Sequence, residues 1–145
     1  MDITQNISQA AGTQNTLFKR LTNIYDRQVL SYYLEELNPM WSLTAAKGRI
    51  MRITDETHDT KTFAIRPNHR WSGFVPGQHV GIDVEIDGRR YSRRYSISSS
   101  DVLRGQFSIT VKRVADGRVS NWLHDHLRID DVVSLQPAGG DFILP

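Results

Sequence analysis

Along most of the chain beyond residue 47, apolar positions alternate with polar ones. Val80, Ile82, Val84 and Ile86 recur with a period of two, as do Phe107, Ile109 and Val111, the mark of strands with one buried face. Short runs of this kind, broken by Asp, Asn, Gly and Pro, predict strands at about 47–56, 60–66, 78–86, 89–98, 106–114 and 132–137. The dipeptide Asp87-Gly88 predicts a tight hairpin between the third and fourth. A single stretch, Ser120 to Leu127, has helical spacing, with Ser120 placed to cap it. The expectation is a mainly β fold, a six-stranded antiparallel Greek-key barrel with one short capping helix.

The first third has another texture. Residues 1–15, rich in Gln, Thr, Ser and Asn, read as a disordered polar N-terminus. From Thr16 onward, Leu17, Leu21 and Ile24 fall at helical spacing, and Phe18, Tyr25, Val29 and Tyr32 form a neighbouring stripe expected to pack on the domain beside it. Pro39 should end the helical pattern by Asn38. Residues 16–46 therefore read as an N-terminal helical extension and linker, and 47–145 as the barrel domain.

Composition narrows the function. A net charge of +2 is too small for a general nucleic-acid binder. The absence of cysteine excludes a disulfide framework, a thiolate zinc site and a cysteine-held iron–sulfur cluster within the chain. No apolar run approaches the roughly 20 residues of a membrane span, and the N-terminus lacks the pattern of a signal peptide. A cytoplasmic protein is expected. His124 and His126, two apart on the predicted helix, cannot chelate together, and polar surface is expected for every histidine but His79. No nucleophile elbow, zinc-protease motif or phosphate-loop lysine signature occurs, so hydrolytic chemistry has no support.

Candidate chemistry concentrates in Arg89–Ser98, which reads Arg-Arg-Tyr-Ser-Arg-Arg-Tyr-Ser-Ile-Ser. On a strand, Arg89, Tyr91, Arg93 and Tyr95 share one face. Tyrosine stacks on flat rings and arginine forks onto phosphate, so this face suits a ligand that joins the two. The plainer account is an edge strand charged against mispairing. Further on, Gly117 precedes the predicted helix, whose first amides and dipole would make an anion site.

These residues resemble the ferredoxin–NADP⁺ reductase superfamily. Arg93-x-Tyr95-Ser96, followed by Ile97-x-Ser99, matches its Arg-x-Tyr-Ser signature. Arg89-x-Tyr91-Ser92 matches the same four residues but sits one residue past the turn glycine, so the second copy is preferred. Phe74-x-Pro76-Gly77-Gln78, the Val111-Lys112 strand, Gly117-x-x-Ser120-x-x-Leu123 and Gly140-x-Phe142-x-Leu144 follow in family order. Asp130-Asp131 stands where a Gly-Asp turn is usual.

The resemblance implies FAD, in preference to FMN, as cofactor. It implies that Arg93 binds the flavin phosphates, that Tyr95 packs on the isoalloxazine, and that Ser96 hydrogen-bonds near N5, which makes Tyr95 and Ser96 the catalytic pair. Thr110, Val111 and Lys112 would border the ring and ribityl chain, with Gly117, Val119 and Ser120 at the pyrophosphate and Phe142 a loose candidate for the adenine. The implied activity is that of an NAD(P)H-dependent flavoprotein reductase passing electrons to an iron–sulfur or flavodoxin-type acceptor, with no nucleic-acid partner. Residues 16–46, with Asn38-Pro39-Met40-Trp41, look similar to reductases that serve oxygenases or fatty-acid desaturases. Family members continue into a nicotinamide-binding domain with its own glycine-rich loop, and no Gly-x-Gly-x-x-Gly occurs here. The chain is thus expected to be the flavin part of an incomplete enzyme. The alternatives are a non-catalytic Greek-key barrel that stacks bases of an oligonucleotide on Tyr91 and Tyr95 or takes a protein partner, and a flavin-type scaffold that binds nothing.

Overall fold

The structure is a computed structural model and describes residues 27–101 and 105–140. In chain order it has helix α1 (Arg27–Leu37), a 3-10 turn (Pro39–Trp41), and strands β1 (Lys47–Thr57), β2 (Thr60–Pro67), β3 (His79–Ile86), β4 (Arg89–Asp101) and β5 (Gln106–Lys112). Helix α2 (Arg118–His126) and strand β6 (Val132–Leu135) follow. The strands close into an antiparallel barrel in the order β1-β2-β5-β4-β3-β6. β3, β4 and β5 are sequential neighbours, and β6 returns through α2 to lie beside β3, which is a Greek key.

Local chemistry explains the joints. Asp87 and Gly88 have φ of 52° and 74°, so both central residues of the β3–β4 turn are left-handed. That is the type I′ geometry whose twist suits a hairpin, and it fixes the register Ile86↔Arg89 through His79↔Ser96. β4 carries a bulge at Ser98, between the pairs Ile97↔Ile109 and Ser99↔Ser108.

The alternating positions meet inside the barrel. Ile50, Phe63, Ile65, Val80, Ile82, Phe107, Ile109 and Val111 are almost wholly buried. α2, with Val119 and Leu123, and its C-cap residue Leu127 plug the barrel at the Lys112 end of β5. At the other end of β5, Trp71 stacks on Phe107 with ring centroids 4.6 Å apart.

Several expectations are corrected. α2 begins at Arg118, not Ser120, because Gly117 is its N-cap and no side chain caps it. Ser120 lies inside the first turn, where its hydroxyl donates to Gly117 O and accepts from Val114 N, both at 3.3 Å. β5 ends at Lys112 and β6 at Leu135, each within two residues of the expected end. His124 is buried, not at the surface, because its Nε2–H donates to Val111 O at 2.8 Å.

α1 ends at Leu37, ahead of Asn38, whose side chain accepts from Met40 N at 3.0 Å and caps the 3-10 turn. The two stripe members among the described residues are exposed, Val29 at 40% and Tyr32 at 61%. A polar anchor holds the helix instead. Buried Ser31 accepts from Leu43 N at 3.0 Å and donates to Glu35 at 2.7 Å. Leu17, Phe18, Leu21, Ile24 and Tyr25 lie outside the described residues, as do Phe142 and Leu144.

Candidate functional site

The site arises where β4 and β5 part. β4 pairs with β3 along Arg89–Ser96, and β5 pairs with β2 as far as Lys112. Between β4 and β5, however, pairing ends at Ile97↔Ile109. Arg89–Ser96 and Thr110–Lys112 are therefore each laddered on one side only. The opening is bounded at its far end by the start of α2, and it forms a cleft of about 480 Å³.

The inward face of β4 supplies one wall. Across the β3–β4 ladder, Tyr91, Arg93 and Tyr95 sit opposite Val84, Ile82 and Val80, and cross-strand partners share a face. Three core residues thus lie beside two tyrosines and an arginine on the same side of the sheet. Tyr91 and Tyr95 pack against the core and reach its rim, where the cleft begins. Burial pushes the Tyr95 hydroxyl above its ordinary pKa, against the opposing pull of the Arg93 charge, so it is a neutral phenol near neutral pH.

The other wall is the β5–α2 connection. Gly117, Arg118, Val119 and Ser120 line it together with Lys112, Val114 and Asp116. Gly117 is required here by proximity. A Cβ at that position would lie 2.4 Å from Ser120 Oγ and 2.9 Å from Val114 Cβ. Asn121 N is bonded to Gly117 O at 3.0 Å, so the amides of Arg118, Val119 and Ser120 precede the first intrahelical bond. The connection is stapled back on the helix: Asn121 Nδ2 donates to Val114 O at 3.0 Å, and Arg113 donates to Asp125 at 2.7 Å.

The electrostatics favour an anion. Arg93, Arg94, Lys112 and Arg118 line the cleft against the single carboxylate of Asp116. Arg93 donates to the backbone oxygen of Ser92 at 2.9 Å, and Arg94 to His79 Nε2 at 3.4 Å. Among the described residues neither has a carboxylate partner. Their remaining donors, the free helix amides and a tyrosine face make a donor set that fits a flat ring carrying phosphates.

Of the residues singled out from the sequence, Arg93, Tyr95, Lys112, Gly117, Val119 and Ser120 line this one cleft. Ser96, Thr110 and Val111 do not. Ser96 is exposed and paired with His79. Thr110 bonds sideways to Thr62 at 2.9 Å and to Ser98 at 3.2 Å. Val111 is fully buried, and His124 holds its carbonyl. Arg89, in the first copy of the motif, is outside the lining, although Tyr91 of that copy is within it.

Two features escaped the sequence reading. The amide of Asn121 on a helix face carries no signal in the sequence, because its role exists only once the loop folds back on it. Behind β4, Asp83 accepts from Arg90 and from Gln136 Nε2 at 3.0 Å, and the same Gln136 nitrogen donates to Ser92 at 2.9 Å. This ties the strand that carries Arg93 to β3 and the β6 exit. Burial pushes the Asp83 carboxyl up, but the bonds from Ser92, Arg90 and Gln136 together outweigh it and leave the group below its ordinary range. A buried acid inside an apparently alternating strand was the signal available.

Fold and cleft together define a barrel built to carry a phosphate-bearing cofactor. The chain belongs to the oxidoreductase FAD-binding domain family, whose pattern matches residues 47–143. It is 41% identical over 110 residues to the glycine betaine monooxygenase reductase subunit of Chromohalobacter salexigens, a match covering 72% of this chain and 30% of that protein. The chain thus spans about a third or less of the curated relatives it matches. Among solved structures, it resembles the FAD/NAD-binding domain of nitric oxide dioxygenase from Vibrio cholerae, with a TM-score of 0.62 and 29% identity over 70% of this chain and 46% of that one. It also resembles a cytochrome P450 reductase from Amycolatopsis, with a TM-score of 0.59 and 28% identity over 72% of this chain and 31% of that one. Among the described residues, no helix is long and apolar enough to cross a membrane.

Proposed function

We propose that this chain holds FAD for a reductase that draws electrons from NAD(P)H and delivers them to an iron–sulfur or flavodoxin-type acceptor. One observation carries the reading. Parted strands bring a tyrosine and an arginine, the latter with no carboxylate partner among the described residues, onto one face, opposite the open amides of α2.

In this reading Arg93 neutralises phosphate charge and Tyr95 covers one face of the flavin ring. The amides of Arg118, Val119 and Ser120 receive the pyrophosphate without bringing a further charge. Thr110, Val111 and Lys112 contribute chiefly backbone, because Val111 points into the core and Thr110 is bonded to its neighbours on the sheet. Ser96 offers a hydroxyl at the flavin edge, and Tyr95, a neutral phenol, shields the ring from water. Bound FAD supplies the conversion between a two-electron donor and one-electron acceptors; the protein supplies position and field.

The donor side belongs to a nicotinamide-binding unit outside residues 47–145, fed by the cytoplasmic pool of reduced nicotinamide. For the acceptor, the likeness to a monooxygenase reductase subunit supports the iron–sulfur component of an oxygenase. The test is a visible spectrum of the purified chain, followed by chromatography of what heat releases. Yellow protein yielding FAD is expected. Colourless protein that also refuses added flavin refutes the reading.

A further inference from the structure

Tyr91 lies two residues before Arg93 and four before Tyr95 on the same inward face of β4. At about 3.3 Å per residue, the two tyrosines stand roughly 13 Å apart along the strand, with Arg93 midway. Tyr91 has its own partner. Arg118, the first residue of α2, reaches across the cleft, its guanidinium carbon 5.2 Å from the centre of the Tyr91 ring, and donates to the Tyr91 hydroxyl. Tyr91 is half-buried against the core, whereas Arg118 is exposed and, among the described residues, has no carboxylate partner.

A flat cation resting on an aromatic ring marks a place that accepts a planar group, because guanidinium and purine stack on tyrosine by the same face. The cleft then reads, from one end to the other, as ring platform, phosphate site and second ring platform. Resting on the flavin reading above, we propose that Tyr91 and Arg118 form the subsite for the adenine of the dinucleotide. This pair gives the barrel its selectivity for FAD over FMN. A purine stacks on the ring and guanidinium that already meet there, and the pair brings the strand wall and the helix wall together around it. An exposed Arg–Tyr contact alone contributes little to stability, so the pair's effect belongs in ligand selection.

The test is titration of the 145-residue chain, freed of flavin, with FAD and separately with FMN, read by quenching of flavin fluorescence. Stacking one base on an aromatic side chain is worth about 1–3 kcal/mol, so FAD should bind about fivefold or more tighter than FMN. Tyr91→Leu keeps the bulk against the core but removes the flat ring. Arg118→Gln and Arg118→Lys act at an exposed position, the second keeping the charge. Each variant should lower the FAD-to-FMN affinity ratio by about fivefold or more, and Arg118→Lys should fall with Arg118→Gln. Equal affinity of the native chain for both flavins overturns the proposal, as does equal weakening of both flavins in the variants. Refusal of both flavins by the native chain overturns the flavin reading itself, a distinct result.

Discussion

Gly117→Ala isolates how closely the β5–α2 connection must pack. The backbone there has φ of −77° and ψ of 101°, which alanine adopts freely, so any cost arises from contact and not from conformation. The new methyl would meet Ser120 Oγ at 2.4 Å, Val114 Cβ at 2.9 Å and Val114 O at 3.2 Å. Ser120 can turn away, but only by giving up its bonds to Val114 N and Gly117 O. Overpacking of this kind costs about 1–3 kcal/mol. A value near 2 kcal/mol would lower the melting temperature by about 5–10 °C. The same displacement moves the amides of the first turn, and about tenfold weaker flavin binding is expected. Ser120→Ala alone should cost about 1 kcal/mol. Because it removes the atom nearest the added methyl, the double variant should cost clearly less than the sum, a coupling of about 0.5–1 kcal/mol. Thermal melting by circular dichroism and flavin titration of all four chains complete the cycle. Native-like melting and affinity for Gly117→Ala, or strict additivity in the double variant, would refute the argument.

Other outcomes follow from the same geometry. Arg93→Ala should weaken flavin binding by about 10- to 100-fold, the worth of a charge-assisted bond to phosphate, while Arg89→Ala, outside the cleft, should change it less than about twofold; equal losses would reverse the choice between the two motif copies. Asp83, with its pKa lowered, contributes stability that is present above its unfolded pKa of about 3.9 and is lost as pH falls through that value and the lower folded one. Melting curves of the native chain should therefore fall more steeply below about pH 4 than those of Asp83→Asn. Asp130 has φ of 75°, a left-handed conformation that favours glycine. Asp130→Gly should raise stability by about 0.5 kcal/mol, since the relief of backbone cost exceeds the added unfolded-state entropy, and a lower melting temperature would contradict that.

The barrel was legible because its interior is written in period two. Val80, Ile82 and Val84 name a buried face directly, and Asp87-Gly88 names the turn that follows. The cleft was legible in part, through Arg93, Tyr95 and Gly117, whose types and spacing carry chemistry of their own. What stayed hidden depends on tertiary proximity. His124 reads as one polar residue on a short helix until β5 brings the Val111 carbonyl against it. Ser120 reads as a cap because serine before an apolar run does so by default; Gly117 displaces it because the loop passes too near the helix for any side chain. The stripe through Val29 and Tyr32 suggested apolar docking, yet α1 is fastened through Ser31, a position that no hydrophobic period marks.

The early end of the β4–β5 ladder also bears on how the chain survives. At Arg89–Ser96 and Thr110–Lys112 one flank has no neighbouring strand. A molecule seated there acts as a keystone as well as a reagent. Its affinity adds to folding stability by mass action, rising with the free concentration of cofactor. Barrel integrity and cofactor supply are thereby linked. A cell short of flavin would hold this protein in a more readily opened form, and proteolysis acts first on open forms. The quantity of working protein would then follow the vitamin from which flavin is made, with no dedicated regulator involved.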